Sequence, residues 1–431
     1  MSMRVAVIGA GVAGLSAAYR LRAEAEVTLF DSAHTAGGHA CTVEVEDNGR
    51  VLGLDTAFVV YNEPHYPSIA AFFGELGVAT KAHTGRFCFF DAESDATYVS
   101  EDLELGEEEV AQRCPADFQL LWREAARFQR EAPKDFIRGR ADMSLGDYLD
   151  GNGYSKAFRY GFVVLISTAA WSVPADKIWQ MPASTVIAFF YAHGAEGLGG
   201  RTVPWRTVEG GSISYVRAAL GRLRAAGGLI RLATPVHRVV EHQDSVEVHS
   251  LDGTEWFDHV VLATHADEAL AVLDRPTTSQ RRLSAIAYHP TRAVLHTDPT
   301  VLPADRDTWR SWNYGRLGER HSWVVYYLNR LQDLTASRDY FLTLDCPLPI
   351  RPEAVLAEKS FRHPVFTAEV RRMQPTLHAV NEGSRVKFAG SYFHARRLGP
   401  DIVGSHESAF DSGLAAAESV LRDRSLADRP A

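Results

Sequence analysis

Three glycines near the start of the chain have the spacing of a phosphate-binding turn. Gly9, Gly11 and Gly14 form the pattern G-x-G-x-x-G. In such a turn the first glycine permits a sharp bend, the second lets the backbone approach a pyrophosphate, and the third lets a helix pack closely on a strand. Asp31 follows at the distance where a carboxylate accepts hydrogen bonds from a ribose. These residues predict dinucleotide binding, with the backbone of Ala13 also facing the phosphates.

The segments around these glycines predict one compact strand-helix-strand unit. Arg4 to Ile8 is an apolar run typical of a buried strand, Leu15 to Leu21 has helical periodicity, and a second strand follows from Val27 to Phe30. A lone glycine motif could be any glycine-rich turn between a strand and a helix. Here the flanking segments agree and fit within about 30 residues, so we interpret the unit as a dinucleotide cradle.

Length and composition describe an ordinary globular protein of two domains. The chain has 431 residues, which exceeds the size at which a single core stops growing. Hydrophobic residues make up 46% and charged residues 23%. A net charge of -9 argues against nucleic acid as a partner, because no basic stripe is present to neutralise phosphates. The acidic run from Glu101 to Glu109 is interpreted as a solvated surface turn.

Neither a membrane span nor a cysteine-based site is predicted. The longest apolar candidate, Phe162 to Val173, is interrupted by serine and threonine and is shorter than the ~18 residues that cross a bilayer. The four cysteines are scattered without C-x-x-C spacing, so neither a disulfide framework nor a zinc site is indicated. We therefore expect a protein of the reducing cytosol, without an integral membrane segment and without a metal.

Aromatic residues recur between positions 59 and 205, in a region of helical patterns separated by Pro and Gly. Any single aromatic is more often part of the core than part of a ligand site. Their number nevertheless suits an apolar chamber for a ligand, and Trp171 and Trp205 are the predicted substrate contacts.

The remaining segments predict that the chain crosses repeatedly between two domains. Gly210-Gly211 precedes a helix from Ile213 to Ala225, a meander of strands follows between Val239 and Phe257, and Val260 to Thr264 is an apolar strand. Near the end, Val386 to Ser391 reads as a strand before a final helix. We predict a cofactor domain of residues 1–58, 206–269 and 378–425, a substrate domain of residues 59–205 and 270–377, and a flexible tail of residues 426–431.

Three separated blocks together resemble the flavin-containing amine oxidase and phytoene desaturase superfamily. They are Gly9 to Asp31 with Gly37-Gly38, then Gly210-Gly211 through Thr264, and finally Phe388-Ala389-Gly390 with the following helix. Within that superfamily, three further runs are similar to bacterial FAD oxidoreductases found beside cyclopropane-fatty-acid synthases; these runs are Val60 to Glu63, Arg292 to Asp298 and Glu358 to Phe366. Bacterial fatty-acid double-bond isomerases of the same fold are a related possibility.

The resemblance implies an α/β fold, in which a Rossmann-like FAD-binding domain, with a parallel sheet and a β-meander, is interleaved with an α+β substrate domain. It also implies non-covalent FAD. The first block would hold the ADP half, and the last helix would direct its N-terminus at the flavin. Further cofactor contacts implied in this way are Gly37, Gly38, His39, Val236, Gly390, Ser391 and Ser408.

Some positions depart from the pattern of the superfamily. Ser391 stands where many members have an acid, and Thr35 replaces a common Arg, so His34 and Arg397 are alternative FAD contacts. The strand from Arg292 to His296 lacks the Lys that amine oxidases keep near the flavin, which argues against simple oxidase chemistry. No Cys follows Cys346, and His39 is expected to pack or hydrogen-bond rather than to attach a flavin. A second G-x-G-x-x-G is absent, so a dedicated NAD(P)H domain is not predicted.

The polar groups expected beside the flavin follow the cofactor blocks in the chain. The predicted catalytic residues are Glu63, His296, Tyr392 and His394, and the predicted substrate contacts include Asn62 and Arg292 besides the two tryptophans. Structural roles compete with each of these: Glu63 could cap a helix, Tyr392 could belong to the core and His394 could be a surface residue.

Three hypotheses about function remain open from the sequence. The leading one is an FAD-dependent oxidoreductase that withdraws hydride from a lipophilic small molecule at a C–C or C–N bond. A redox-neutral isomerase or cyclase, in which the flavin returns the hydride, is the second. A flavin-binding protein without turnover is the third, and the substrate, the electron acceptor and the oligomeric state are not identified by the sequence.

Overall fold

The structure is a computed structural model that describes residues 2–83, 85–192, 204–318, 321–395 and 402–427. Arg397 and the end of the predicted tail lie outside the described residues. The strands are β1 Arg4–Ile8, β2 Glu26–Phe30, β3 Thr42–Asp47, β4 Arg50–Asp55, β5 Val60–Tyr61, β6 Thr80–His83, β7 Phe87–Asp91, β8 Thr97–Val99, β9 Trp205–Val208, β10 Leu229–Arg231, β11 Val236–Glu241, β12 Val246–Ser250, β13 Gly253–Phe257, β14 His259–Leu262, β15 Ala287–His296, β16 Trp312–Leu317, β17 His321–Tyr327, β18 Phe341–Leu344, β19 Val355–Val365 and β20 Val386–Phe388. The α-helices are α1 Val12–Leu21, α2 Pro67–Leu76, α3 Glu107–Arg113, α4 Ala116–Ile137, α5 Leu145–Gly151, α6 Lys156–Phe158, α7 Val164–Trp171, α8 Ala175–Ile178, α9 Ala183–Ala192, α10 Ile213–Ala225, α11 Ala266–Val272, α12 Thr278–Arg281, α13 Leu328–Leu331, α14 Ala368–Met373 and α15 His406–Ala427.

A parallel sheet of five strands forms the Rossmann-like part, in the order β10-β2-β1-β14-β20. In the central strand β1, Val5, Ala6 and Val7 have no exposed surface, because neighbouring strands and helices cover both faces. The segments that form this sheet come from the beginning, the middle and the end of the chain. This arrangement confirms the predicted fold class and explains why the cofactor blocks are separated in the sequence.

Helix α15 packs directly on α1, at the back of the glycine turn. A Cβ atom added to Gly413 would lie 2.0 Å from the carbonyl oxygen of Ala13, so only glycine allows this approach. Ser16 donates a hydrogen bond from Oγ to the carbonyl of Phe410 at 2.9 Å. The last helix of the chain therefore helps to fix the first one.

Two smaller β units flank the parallel sheet. The antiparallel meander β11-β12-β13 follows β10, and the hairpin β3-β4 docks on the loop that contains Gly210 and Gly211. Asp55 at the end of the hairpin accepts hydrogen bonds from the backbone and hydroxyl of Ser212, at 2.9 and 2.7 Å, and from Thr42 at 2.6 Å. This buried carboxylate joins the hairpin to the start of α10.

A seven-stranded mixed sheet, in the order β19-β15-β18-β17-β16-β7-β8, forms the second part of the molecule. Its strands are antiparallel except for β7 and β16, which run parallel with Phe87 opposite Trp312. The helices between α3 and α9 add an aromatic core in which Phe158 and Phe162 stack, with ring centroids 5.5 Å apart. The predicted domain boundaries remain a prediction.

Three predicted segments differ from those observed. The strand expected from Arg292 begins at Ala287, because its pairing with β19 extends toward Val365. The helical pattern from Pro115 to Phe128 predicts a helix there, and the observed helix α4 continues to Ile137 past an internal proline, since its buried face continues through Ala132. The acidic run expected as a surface turn instead supplies a 3-10 turn and the first turn of α3, where negative charge favours the helix dipole.

Candidate functional site

The glycine turn has the geometry of an open cradle at the carboxyl end of β1. Gly9 has a φ of 104°, and a Cβ there would lie 2.5 Å from the carbonyl oxygen of Ala263. A Cβ on Gly14 would lie 1.8 Å from the carbonyl oxygen of Gly9. A Cβ on Gly11 would meet nothing closer than 4.0 Å, so the space beside Gly11 is open. Two glycines are thus required by packing, and the third faces a free volume.

The N-terminus of α1 presents its first N–H groups toward this open space. Its N-cap position is Gly11, which provides no side-chain hydrogen bond. The first N–H groups of a helix lack partners within the helix, so those of Val12, Ala13 and Gly14 are available to an anion. The geometry of the turn suits a phosphate group.

Asp31 lies at the edge of the cradle and is held by backbone donors. Its carboxylate accepts hydrogen bonds from the N–H of Ala10 at 2.6 Å and of Ala33 at 2.8 Å. The N–H of Thr234 donates to the carbonyl of Asp31 at 2.8 Å, which brings the start of β11 with Val236 to the same edge. A carboxylate has about four lone-pair sites, so Asp31 can still accept bonds from a ligand.

The paired glycines Gly37 and Gly38 bring the chain back beside the glycine turn. Gly37 and Gly38 have φ angles of 128° and 58°, and Gly37 forms a parallel bridge with Gly11. The following residue, His39, accepts a backbone hydrogen bond from the N–H of Phe58 at 3.0 Å. The loop therefore places His39 beyond the phosphate end of the site.

The last block approaches the site through the N-terminus of α15. Ser405 and Ser408 exchange hydrogen bonds between backbone N–H and side-chain hydroxyl groups, at 3.1 and 3.0 Å, which caps this helix. The hydroxyl of Ser408 also donates to the carbonyl of Ser391 at 3.2 Å. Gly390 donates its N–H to the hydroxyl of Ser412 at 2.8 Å. The predicted cofactor contacts of the last block thus form one connected unit.

Four imidazoles, His39, His265, His363 and His406, surround the region between these segments, and we call them the histidine cluster. The ring of His39 lies 6.1 Å from that of His265 and 5.1 Å from that of His363. His406 stacks on Phe58 at 3.8 Å and hydrogen-bonds to the hydroxyl of a buried tyrosine at 2.7 Å. Three rings from distant parts of the chain therefore meet at His39, and His406 lies nearby, against Phe58 whose N–H donates to the carbonyl of His39.

Burial lowers the pKa of three members of the cluster. Desolvation first, and then the neighbouring imidazoles, lower the pKa of His39 to about 4 and that of His363 to about 3. The pKa of His406 falls to about 3 for the same reason, with His39 as the neighbouring imidazole. All three residues nevertheless keep some accessible surface. At neutral pH these three imidazoles are uncharged.

Aromatic side chains complete the wall beside the cluster. Phe361 lies 5.0 Å from His39 between ring centroids. Trp171 packs on Phe189 at 4.9 Å and lies against Gly404, just before helix α15. The predicted substrate contact Trp171 is therefore next to the cofactor segments, in apolar surroundings.

Comparison with known proteins identifies the fold of the chain. Residues 7–76 match the family described as NAD(P)-binding Rossmann-like domain, and no curated protein matches the chain. A putative protoporphyrinogen oxidase from Exiguobacterium sp. 255-15 superposes with a TM-score of 0.70 at 15% identity, over 98% of this chain and 99% of that one. A putrescine oxidase bound to putrescine gives 0.69 at 14% identity, over 98% and 99%. The chain therefore shares the fold of these structures.

The shared fold extends over nearly the whole chain, and a protein named for another reaction has it as well. A CLA-producing fatty acid isomerase from P. acnes superposes with a TM-score of 0.65 at 16% identity, over 97% of this chain and 98% of that one.

Among the residues that the structure describes, no helix is long and apolar enough to cross a membrane, and no group of His, Cys, Asp and Glu side chains is arranged to hold a metal ion.

The two predicted catalytic residues of the last block, Tyr392 and His394, are not members of the histidine cluster. Tyr392 is 1% exposed and donates its hydroxyl to the carbonyl of Ala389 at 3.3 Å. His394 is half-buried and bridges to Val403, and its buried Nδ1 has no hydrogen-bond partner in the described part of the chain. Burial lowers the pKa of His394.

Glu63 and Asn62 differ sharply in exposure although they are neighbours. The side chain of Glu63 is 63% exposed and lies 3.5 Å from the guanidinium of Arg206. Asn62 is fully buried, and its Oδ1 accepts a bond from the N–H of His65 at 3.0 Å. Trp205 lies in the adjacent strand β9 and packs on Trp312 at 5.4 Å.

Arg292 and His296 lie away from the cluster. Arg292 points to the opposite sheet face from Thr291 and forms a two-point ion pair with Glu358, at 2.7 and 2.8 Å. His296 is at the far end of β15, packed against Phe341 with its centroid 5.6 Å away. Burial lowers the pKa of His296 to about 4. The structure therefore does not bring these two predicted residues to the cofactor segments.

The sequence reasoning missed His265, His363, His406 and Thr291. Two of them lie on paired strands, where Thr291 is opposite Phe361 and His363 is opposite His289. Alternation along β19 indicates that positions 361 and 363 share a face, but only the pairing with β15 shows that this face meets His39.

Proposed function

We propose that this protein is an FAD-dependent oxidoreductase that dehydrogenates a C–C or C–N bond of a lipophilic small molecule. The observation that carries the proposal is the convergence of three distant segments at the end of one parallel sheet. The glycine turn bridges to Gly37, and the loop continues to His39, whose carbonyl accepts a hydrogen bond from the N–H of Phe58. The ring of Phe58 stacks on His406 at the start of α15. In folds of this type, dinucleotides bind at the carboxyl ends of the strands.

The described residues fit FAD in type and position. The free N–H groups at the start of α1 suit the pyrophosphate, and Asp31 suits the ribose of the adenosine half. Val236 is brought to the same edge by the contact between Thr234 and Asp31. Ser391 and Ser408 would hold the opposite half. Alanine or any larger residue at position 11 would fill part of the open space that the pyrophosphate needs.

The residues of the cavity suit dehydrogenation of an apolar molecule. Bound FAD supplies hydride acceptance from a carbon held about 3 to 3.5 Å away. Phe361 and Trp171 would position the substrate and exclude water from it. The uncharged imidazoles of His39 and His363 can hold a proton or accept a hydrogen bond without placing a fixed charge in the cavity. We place the protein in the cytoplasm, with this small molecule as its partner.

Anaerobic mixing of the FAD-loaded protein with candidate substrates tests the proposal. Alcohols, amines and acyl compounds of increasing chain length are mixed with the protein, and the flavin absorption near about 450 nm is followed. Lasting bleaching with formation of an unsaturated product is expected for at least one lipophilic class. Loading with FAD but no bleaching and no product with any class would contradict oxidoreductase activity.

A redox-neutral isomerase is the second candidate. It is favoured by the neutral imidazoles of His39, His363 and His406, which can accept hydrogen bonds or protons, and by the absence of Lys on the described strand β15. A fatty acid isomerase shares the fold. Product formation without lasting bleaching would identify this activity. FAD binding without any turnover would instead leave a non-catalytic flavin-binding protein.

A further inference from the structure

The strand pair β15-β19 holds one imidazole of the cavity in a defined hydrogen-bonding state. Thr291 lies opposite Phe361, and His289 lies opposite His363. Because side chains alternate along a strand, Phe361 and His363 point to the same face. Both rings contact His39, at 5.0 and 5.1 Å, so this face borders the histidine cluster.

Thr291 fixes which nitrogen of His363 carries the proton. Its hydroxyl donates to the carbonyl oxygen of Ser172 at 2.8 Å and lies 3.2 Å from Nδ1 of His363. A hydroxyl has one proton, so Thr291 can only accept a hydrogen bond from His363. A neutral imidazole has one N–H group, which must therefore be at Nδ1, and Nε2 keeps a lone pair.

The backbone at Ser172, whose carbonyl oxygen accepts the hydrogen bond from the Thr291 hydroxyl, has an unusual conformation. Ser172 follows helix α7 in the left-handed region, with a φ of 52°, although it is not glycine. A residue with a Cβ atom rarely adopts such a conformation, which persists when the surrounding structure requires it. Ser172 is 9% exposed and directly follows Trp171, so the hydrogen-bonded chain is anchored beside the aromatic wall.

The lone pair of His363 is available to a ligand. Nε2 has no hydrogen-bond partner among the described residues and is not enclosed by them. Desolvation and the neighbouring His39, His265 and His289 lower the pKa of His363 to about 3, which keeps the ring neutral at pH 7. A hydrogen-bond acceptor in poorly solvated surroundings is destabilised if no donor forms a hydrogen bond with it.

We propose that Nε2 of His363 accepts a hydrogen bond from a hydroxyl or amine of the substrate, so that the cavity selects lipophilic molecules that carry a donor near the reacting bond. This inference rests on the proposed function and narrows its substrate class. A site built to accept a hydrogen bond binds the analogue without the donor more weakly, because its own polar group is left unpaired.

The first test examines the tautomer without measuring activity. Nitrogen-15 NMR of the histidine rings should show an Nδ1–H tautomer for His363, assigned by its loss in His363→Phe. Thr291→Val should change that signal toward a tautomer mixture, and Thr291→Ser should retain it. An Nε2–H tautomer in the unmodified protein would overturn the inference.

The second test compares 1-decanol with its methyl ether, 1-methoxydecane, as probes of the FAD-loaded protein. Perturbation of the flavin spectrum reports their dissociation constants. The alcohol should bind roughly tenfold more tightly than the ether, and His363→Phe should bring this ratio toward one. Equal binding of the two probes, no binding of the alcohol, or an unchanged ratio in His363→Phe would overturn the inference.

The two proposals fail in different ways. If the protein does not take up FAD, the proposed function fails, but the tautomer and the alcohol preference are still measurable on the cofactor-free protein by NMR and calorimetry. If FAD binds while the alcohol and the ether bind alike, only the role of His363 fails. Because His363→Phe keeps a ring of similar size, unchanged FAD content in that variant controls for loss of the fold.

Discussion

At the scale of the residue, the three glycines of the first turn have different physical roles. Gly9 and Gly14 are required by packing, since a side chain would meet backbone atoms at 2.5 and 1.8 Å. Gly11 faces open space and is not required by the fold. Ligand binding is therefore the better explanation of the glycine at this position.

Gly11→Val should separate cofactor binding from folding. The added side chain enters the free volume where the pyrophosphate is proposed to bind, so FAD affinity should fall by roughly 100-fold or more while the unfolding transition changes little. Gly221→Val is the matched control, because a Cβ on Gly221 in helix α10 would likewise meet open space, with nothing within 4 Å. Equal FAD affinity in Gly11→Val and in the control would contradict the proposed position of the pyrophosphate.

Single residues also show where sequence reasoning reaches its limit. Asp31 and the glycine turn are local features, so their positions could be predicted from spacing. Arg292 was predicted as a substrate contact, and the structure shows its side chain paired with Glu358, on the face of β15 opposite to Thr291. His363 could not be predicted, because its proximity to His39 depends on the pairing of β15 with β19.

At the scale of the element, strands and helices with strong local patterns were predictable. The bounds of β1 and α10 were predicted as observed, since each has a continuous apolar pattern and a clear start. The long-range order of the mixed sheet, in which β7 pairs in parallel with β16, was not predicted. Such pairing depends on tertiary packing, which leaves little local signal.

The joint between hairpin β3-β4 and helix α10 should depend on one buried carboxylate. Asp55 is 1% exposed and receives hydrogen bonds from Thr42, Ser212 and Gln332. Asp55→Ala leaves these donors unpaired, and we expect a loss of about 2–4 kcal/mol in the free energy of unfolding. Urea denaturation followed by tryptophan fluorescence measures this loss.

A matched substitution at the surface controls for the loss of an acid. Asp244 is 90% exposed at its side chain and lies 3.9 Å from a guanidinium group. Asp244→Ala should change the free energy of unfolding by less than about 1 kcal/mol. Similar losses in the two variants would show that the carboxylate of Asp55 does not act as the joint.

At the scale of the whole molecule, two sheets built from segments that alternate along the chain meet at the histidine cluster. His265 follows β14 of the parallel sheet, and the mixed sheet contributes Phe361 and His363. The imidazoles of His39, His363 and His406 are neutral at pH 7, so they place no fixed charge beside a ligand.

The cluster should make the stability of the cofactor-free protein depend on pH. The pKa values of His39, His363 and His406 are lowered to about 4, 3 and 3, whereas in the unfolded chain they are near 6.5. Between these values the unfolded chain binds more protons, so stability should fall as pH decreases from about 6.5 toward 4. Urea midpoints at pH 7.5 and 5.5 measure this fall.

Other groups that titrate in this pH range also change the stability, so the measurement needs control variants. Burial raises the pKa of Asp55 to about 6, which opposes the fall because its neutral form is favoured in the folded state. His363→Phe should reduce the difference between the two midpoints, whereas replacement of the exposed His378 by Asn should not. A pH dependence unaffected by His363→Phe would contradict the burial of a neutral imidazole at this position.

The central claim is that the converging segments bind FAD, and calorimetric titration of cofactor-free protein with FAD tests it most directly. We predict one FAD per chain with a dissociation constant of roughly 1 μM or below, and much weaker binding in Gly11→Val. Folded protein that shows no heat of binding and takes up no flavin absorbance at saturating FAD would contradict the claim.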